Sequence, residues 1–198
     1  ILDISKGNQP MISNDGKIIL IFNGEIYNHN DLRKELSKSY NFKSNNSDTE
    51  VIIASYNKWG IEAPSKFNGM WSFALLDKSK KILFLSRDRY GEKPLYYSFN
   101  NESFIFGSEL NVVASLKKKD LSLSDLNLAK YCCHGFFPGN LTPFKNIFQL
   151  DAAENLIYDF NNNNFKKSRF WKYKIEPDYH QKESTIIENL YNLIGRSV

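Results

Sequence analysis

Three short runs in this chain are apolar almost without interruption: "KIILIF" from Lys17 to Phe22, "MWSFALLD" from Met70 to Asp77, and "ILFLSRD" from Ile82 to Asp88. Each has the length of a strand. A strand that is apolar at successive positions asks for cover on both faces. Elsewhere the apolar residues recur at helical spacing on one side only, as at Leu32, Leu36 and Tyr40, and again at Ile187, Leu190, Ile194 and Val198. Strands buried twice and helices buried once fit together in one way: sheets stacked on each other, with helices outside.

The chain has 198 residues, 41% of them hydrophobic and 15% aromatic, enough for one domain with a full core and a small appendage. Its net charge of +4 comes from scattered lysines offset by acids, with short runs only at Lys117–Lys119 and Lys166–Lys167. That distribution speaks against a nucleic-acid surface, which concentrates its basic residues on one face. No apolar run approaches the ~20 residues that span a bilayer, and no signal peptide opens the chain, so the expectation is a cytoplasmic protein without a membrane partner. Two adjacent cysteines, Cys132 and Cys133, seldom bridge; they read as buried structural thiols in a reducing compartment. The three histidines have no partner at metal-ligand spacing, so no metal is expected.

Local signals place the helices. Asn28 offers an N-cap with Asp31 in the first turn, and a helix of about three turns should follow. "SDTE", Ser47 to Glu50, matches a capping box, and Gly60 closes the helix it opens. "KSKK" is a turn between two strands, and "KPLYYSF" and "SFIFGSE" form a second pair around "NNE". Residues 1–110 therefore give two helices among six or so strands. A short helix capped by Ser122 or Ser124 follows, then two short strands within "TPFKNIFQLDAAENLIYDF", a polar turn at "NNNNFKKSRF", and an extended "FWKYKIEP". Pro177 and the polar residues after it read as a linker to a last helix.

Three positions could carry chemistry. Asn23-Gly24 is the strongest two-residue hairpin signal by itself. The return, Glu25-Ile26-Tyr27, is however very short, and the preceding strand is apolar throughout. An Asn side-chain N–H beside a Gly backbone N–H at the end of a rigid strand is also what an oxyanion hole requires. Asp48 reads either as an acid stabilised by a helix N-terminus or as a carboxylate facing an ammonium group. Glu25 has the same two readings, solvated acid or amine clamp.

"FNGEIYNHNDLRKEL", "SDTEVIIASYNKWG", "FNGMWSFALLD", "RDRYGEKPLYY" and "FGSEL" occur in that order. In this they resemble the glutaminase lobe of glutamine-hydrolysing asparagine synthetases, a class II glutamine amidotransferase domain of N-terminal-nucleophile type. The resemblance runs from Ile1 to about Leu116 and continues more weakly through "TPFKNIFQLD" and "RFW". It implies an α+β fold, the four-layer αββα sandwich of the N-terminal-nucleophile (Ntn) hydrolases. It implies that an N-terminal cysteine attacks glutamine, with its own α-amine as base. It assigns the oxyanion to Asn23 and Gly24, which would be both catalytic and substrate-binding, and the substrate's α-amino group to Glu25 and Asp48. Main chain near Leu2 would also contact glutamine. The ammonia would pass to a synthetase domain of the same chain, where ATP and Mg serve the amidation of aspartate; no cofactor is implied for the 198 residues themselves. A homodimer is a further implied partner.

The family's Met-Cys-Gly segment and the arginine ahead of "LSILD" do not occur in the sequence, "LDAAENL" replaces a Pro-Gly turn, and the synthetase domain's Ser-Gly-Gly-Leu-Asp-Ser loop is not reached. The expectation is a piece of a longer protein, with residues 1–176 as the amidotransferase domain, incomplete at its N-terminus. Residues 177–198 would be the linker and first helix of the synthetase domain. Such a piece would be inactive alone and would leave an unpaired strand edge or an open core. Two other functions remain open: an amidotransferase acting on a sugar, an antibiotic precursor or a surface polysaccharide, and a non-catalytic binding or regulatory module.

Overall fold

Alternation within the apolar strands sorts their side chains onto two faces, and the computed structural model, which describes residues 8–100, 103–117 and 121–197, covers both. In its larger sheet, β1 (Met11–Ile12), β2 (Ile18–Ile26), β3 (Gly69–Asp77), β4 (Ile82–Arg87), β8 (Glu154–Asp159) and β9 (Asn164–Arg169) lie side by side in that order. A smaller sheet has the order β6 (Phe104–Gly107), β5 (Tyr96–Phe99), β7 (Phe148–Gln149). All these strand pairs are antiparallel.

From β3, Trp71, Phe73 and Leu75 point to one face of the large sheet. There they join Leu20, Phe22 and Ile26 of β2, Leu32 and Leu36 of α1 (His29–Leu36), and Val51 and Ile52 of α2 (Asp48–Trp59). Ala74 points to the other face and packs with Leu85 and Leu156 against Leu95 and Tyr97 of the small sheet. Beyond that sheet, Val113 and Ala114 of α3 (Leu110–Leu116) close on Ile147. The layers run helix, sheet, sheet, helix, the αββα sandwich that the sequence resemblance implies. Burying these large side chains is worth about 1.5–3 kcal/mol each, which makes the two interlayer cores the main stabilising term.

The two sheets do not close along their whole length. Ile19 is only partly buried and Ile21 is 41% exposed. Both face a groove of about 400 Å³ that also touches Phe104, Phe106 and Phe160. The expectation that β2 is covered on both faces therefore fails for the side facing β6, which is the outer strand of its sheet.

Several local expectations also change. The capping box does not form: Ser47 Oγ makes no cap bond, and the Glu50 carboxylate accepts instead from Lys43 N–H at 2.8 Å and Ser44 N–H at 2.7 Å. Asn28 makes no cap bond either; its amide bridges Lys66 C=O and Asn68 N–H. The α1 helix has eight residues, about two turns, and Tyr40 packs beyond its end. His29 is partly buried, with Nδ1 2.9 Å from Ile26 C=O. "NNNNFKKSRF" is mostly strand β9, paired along its length with β8, not a turn. Cys132 and Cys133 are exposed. Their helix, α4 (Asp125–His134), buries only Asn127, so its thiols have no core to enter. It is capped by Ser124 Oγ, which accepts from Asn127 N–H. A fifth helix, α5 (Glu183–Ser197), carries exposed Ile187, Leu190 and Ile194. Among the described residues no helix is long and apolar enough to cross a membrane.

Candidate active site

The strand β2 does not turn at Asn23-Gly24. It runs on through Glu25 to Ile26, with Asn23 opposite Ser72, Gly24 opposite Trp71 and Glu25 opposite Met70. Both the hairpin and the strand-end readings are corrected by this ladder. A glycine is required because the strands approach closely: Gly24 has φ +151°, and a Cβ there would lie 2.1 Å from Met70 C=O. Gly69, with φ +155°, would place one 2.1 Å from Glu25 C=O. These distances exclude any side chain at positions 24 and 69 themselves.

Alternation puts Asn23 and Glu25 on the face that looks toward the small sheet. Asn23 lines a pocket of about 190 Å³ with Gln9, Phe106 and Ser108. Its Nδ2 lies 3.5 Å from Ser108 Oγ, at the outer limit of a hydrogen bond, so the amide is loosely engaged.

Backbone geometry fixes where the Gly24 N–H points. Residues two apart in a strand direct their N–H groups to the same side. Phe22 N–H goes to Gln9 Oε1 at 2.6 Å and Ile26 N–H to Asp48 Oδ2 at 3.2 Å, both away from β3. Across the ladder, Trp71 donates its N–H to Asp88 Oδ2 at 3.2 Å, and its C=O accepts from Asp88 N–H at 2.9 Å. Gly24 and Trp71 are therefore a non-hydrogen-bonded pair, and the Gly24 N–H faces the outer edge of β2. The neighbouring β1 pairs only as far as Leu20, so among the described residues no strand covers that edge at Gly24.

Asp48 is buried at the first position of α2, and its Oδ1 accepts Thr49 N–H at 2.8 Å. Through Ile26 it ties this helix terminus to the strand two residues beyond Gly24. Glu25 is exposed at the rim. Beside it, the Tyr27 hydroxyl is held above its ordinary pKa by lost solvation and by the carboxylates of Glu92, Glu25 and Asp88. Acidic groups thus gather around this end of β2. The Asp88 carboxylate is fully buried and also accepts N–H bonds from Tyr90, Glu92 and Lys93, which pins the loop 88–93 next to Trp71. Arg87 fixes the same loop by donating to Gly91 and Lys93 carbonyls; burial lowers its pKa.

Of the residues singled out from the sequence, Asn23, Gly24, Glu25 and Asp48 are brought to one end of β2; Leu2 lies outside the described residues. Gln9 and Asp88 were not singled out. The available signals were a polar residue ahead of "PM" at a strand start and a charged pair closing an apolar strand.

The fold defines the class first. The structure matches glutamine phosphoribosylpyrophosphate amidotransferase from B. subtilis over 84% of this chain and 32% of that one, with a TM-score of 0.56 and 17% identity. The allosteric regulatory enzyme of purine biosynthesis matches equally well, with a TM-score of 0.56 and 18% identity over the same shares. At those identities the likeness is one of fold. The family follows from sequence: the model of the glutamine amidotransferase domain matches residues 1–171, and the chain belongs to that family. A Methanocaldococcus jannaschii protein provisionally named asparagine synthetase [glutamine-hydrolyzing] 2 is 39% identical over 90% of this chain. Asparagine synthetases [glutamine-hydrolyzing] 1 and 3 of Bacillus subtilis are 39% and 32% identical over 70% and 94% of it. The chain spans 37%, 22% and 30% of those three relatives' lengths.

Proposed function

We propose that this domain hydrolyses the side-chain amide of glutamine and that the gene-encoded protein uses the ammonia to amidate aspartate. The observation that carries the reading is the pair at the end of β2: a Gly24 N–H that no strand among the described residues covers, beside the loosely held carboxamide of Asn23. Both are donors on a rigid strand, which suits charge that develops only in the transition state. A thiolate attacks the carboxamide carbon, the carbonyl oxygen becomes the oxyanion between Asn23 Nδ2 and Gly24 N–H, and the C–N bond breaks as the nitrogen takes a proton and leaves as ammonia. Water then cleaves the thioester to glutamate.

The thiol in this scheme needs an α-amine as its base. Cys132 and Cys133, interior to α4, have none. The pocket that Asn23 lines shares Ile21, Ala74 and Phe106 with the groove between β2 and β6, and the thiol would have to enter that pocket to reach the oxyanion donors. Glu25 and Asp48 would hold the substrate's α-ammonium; the acidic groups around Tyr27 support that role. Leu2 main chain, ATP and Mg at a synthetase domain, α5 as that domain's first helix, and a homodimer complete the proposal on the strength of the family resemblance.

The test is isotope transfer. The gene-encoded protein is given glutamine labelled with ¹⁵N in the side-chain amide, together with ATP, Mg and aspartate. Label in asparagine supports the proposal. Release of labelled ammonia with no asparagine formed points to another acceptor, and no hydrolysis of glutamine at all supports a binding module.

A further inference from the structure

We propose that Gln9 is a positioning residue for the oxyanion hole: its side-chain carboxamide replaces a missing strand beside Phe22 and so aims the Asn23-Gly24 peptide. The inference deepens the glutaminase reading and rests on it. The ladder between β1 and β2 pairs Met11 with Leu20 and Ile12 with Ile19. Continued by two residues, the same register would set Gln9 opposite Phe22. The backbone ladder stops short of that. The Gln9 side chain makes both bonds instead. Its Oε1 accepts Phe22 N–H at 2.6 Å, and its Nε2 donates to Phe22 C=O at 2.8 Å. A primary amide thus reproduces the two-bond exchange of a hydrogen-bonded antiparallel pair.

The location gives this contact its consequence. Phe22 C=O belongs to the peptide that leads into Asn23, and Gln9 lines the same pocket as Asn23. On the outer edge of β2, successive edge-facing N–H groups stand about 6.8 Å apart. The first, at Phe22, is held by Gln9; the third, at Ile26, is held by Asp48. Between them the Gly24 N–H is fixed from both sides, and among the described residues no strand takes it. On the opposite side, Asp88 holds Trp71, the cross-strand neighbour of Gly24. With Gln9 removed, one of the two edge anchors is gone, and the strand is free to twist where the hole needs a fixed direction. Gln9 touches no reacting atom in this scheme; it acts through Phe22.

The test uses the gene-encoded protein, with turnover normalised to active sites titrated by a glutamine-like covalent inhibitor. Gln9→Ala is expected to lower glutaminase kcat about 10–100-fold, the usual result of a misdirected catalytic group, with KM within about twofold of wild type. Gln9→Glu keeps an acceptor for Phe22 N–H but sets a carboxylate oxygen against Phe22 C=O. Its kcat relative to wild type should therefore rise as pH falls from about 8 to 5, because the protonated acid regains an O–H donor. A merely structural role would not produce that pH dependence. In an Asn23→Ala background, Gln9→Ala should cost less than it does in wild type, because one of the two donors it aims is already gone.

Unchanged kcat per titrated site in Gln9→Ala, beside a large loss in Asn23→Ala, overturns the role of Gln9 and leaves the oxyanion reading standing. Fully multiplicative losses in the double variant, or a pH-independent Gln9→Glu, overturn it as well. A wild-type rate in Asn23→Ala overturns the oxyanion reading and this inference with it.

Discussion

Replacing Gly24 with alanine tests whether the β2–β3 approach dictates the residue at the heart of the site. The new Cβ would stand 2.1 Å from Met70 C=O and 2.7 Å from Trp71 Cα. Ordinary contact needs about 3.5 Å, so the strands must part by roughly 1 Å or more. The conformation adds its own cost: φ of +151° is essentially glycine-only, worth about 1–3 kcal/mol. A control separates the two terms. Gly16 has φ +72°, and a Cβ there would meet nothing within 4 Å, so alanine at this position carries the backbone cost of about 1–2 kcal/mol and no clash. The assay is amide hydrogen exchange read on peptides, because it reports the local stability of β2 and β3 whatever else the protein contains. With strain and strand separation together near 3 kcal/mol, Gly24→Ala should speed exchange across Ile18–Ile26 and Gly69–Asp77 on the order of 100-fold. Gly16→Ala should speed it by about 5–30-fold, and only near the β1–β2 turn. Equal effects from the two substitutions would refute the argument that close approach selects the glycine.

Two further outcomes follow from the hydrogen-bond pattern. Asp48→Asn should mainly raise the glutamine KM, because the carboxylate is proposed to hold the substrate ammonium; if only the stability of α2 falls, the helix-terminus reading was sufficient. Tyr56 donates to the Asp77 carboxylate at 3.0 Å, and Asp77 also accepts from Ser79 and Lys80 N–H groups. Burial works against the Asp77 charge, but the Lys80 N–H and the Tyr56 hydroxyl outweigh it and hold its pKa below the ordinary value. A carboxylate depressed by folding stabilises above its unfolded pKa, near 3.9, and loses that contribution as pH falls through the folded value. Tyr56→Phe should therefore cost about 1.5–3 kcal/mol near neutral pH, and the difference from wild type should shrink below about pH 4 in urea titrations.

What could be read from the chain follows the range of the interactions involved. A continuous apolar run of strand length is a property of consecutive residues, so "MWSFALLD" and "ILFLSRD" announce β3 and β4, and the one-faced "DLRKEL" announces α1. The candidate site on β2 rests on five motifs in order that identify a family; the dipeptide Asn23-Gly24 alone points to a hairpin that the ladder rules out. It looks like a hairpin because nothing local records Met70 across the ladder, whose carbonyl is what demands a glycine. Caps failed for the same reason. Glu50 was expected to reach back along its own helix, but the backbone of Lys43 and Ser44 arrives from outside and takes it. The β9 strand hid behind its charges, since an outer strand can leave Lys166 and Arg169 to water while β8 supplies its pairing. The α3 helix is not announced because Glu109 at its N-terminus is not a residue type that signals a cap. Gln9 was invisible because its role is to stand in for a strand that stops.

The central claim is that Asn23 and Gly24 hold the oxyanion of glutamine hydrolysis, and the most direct measurement is the glutaminase kcat of Asn23→Ala in the gene-encoded protein, per titrated active site. Loss of one such donor should lower kcat by about 10²–10³ while the glutamine KM stays near wild type. A kcat within a factor of two of wild type would contradict the account.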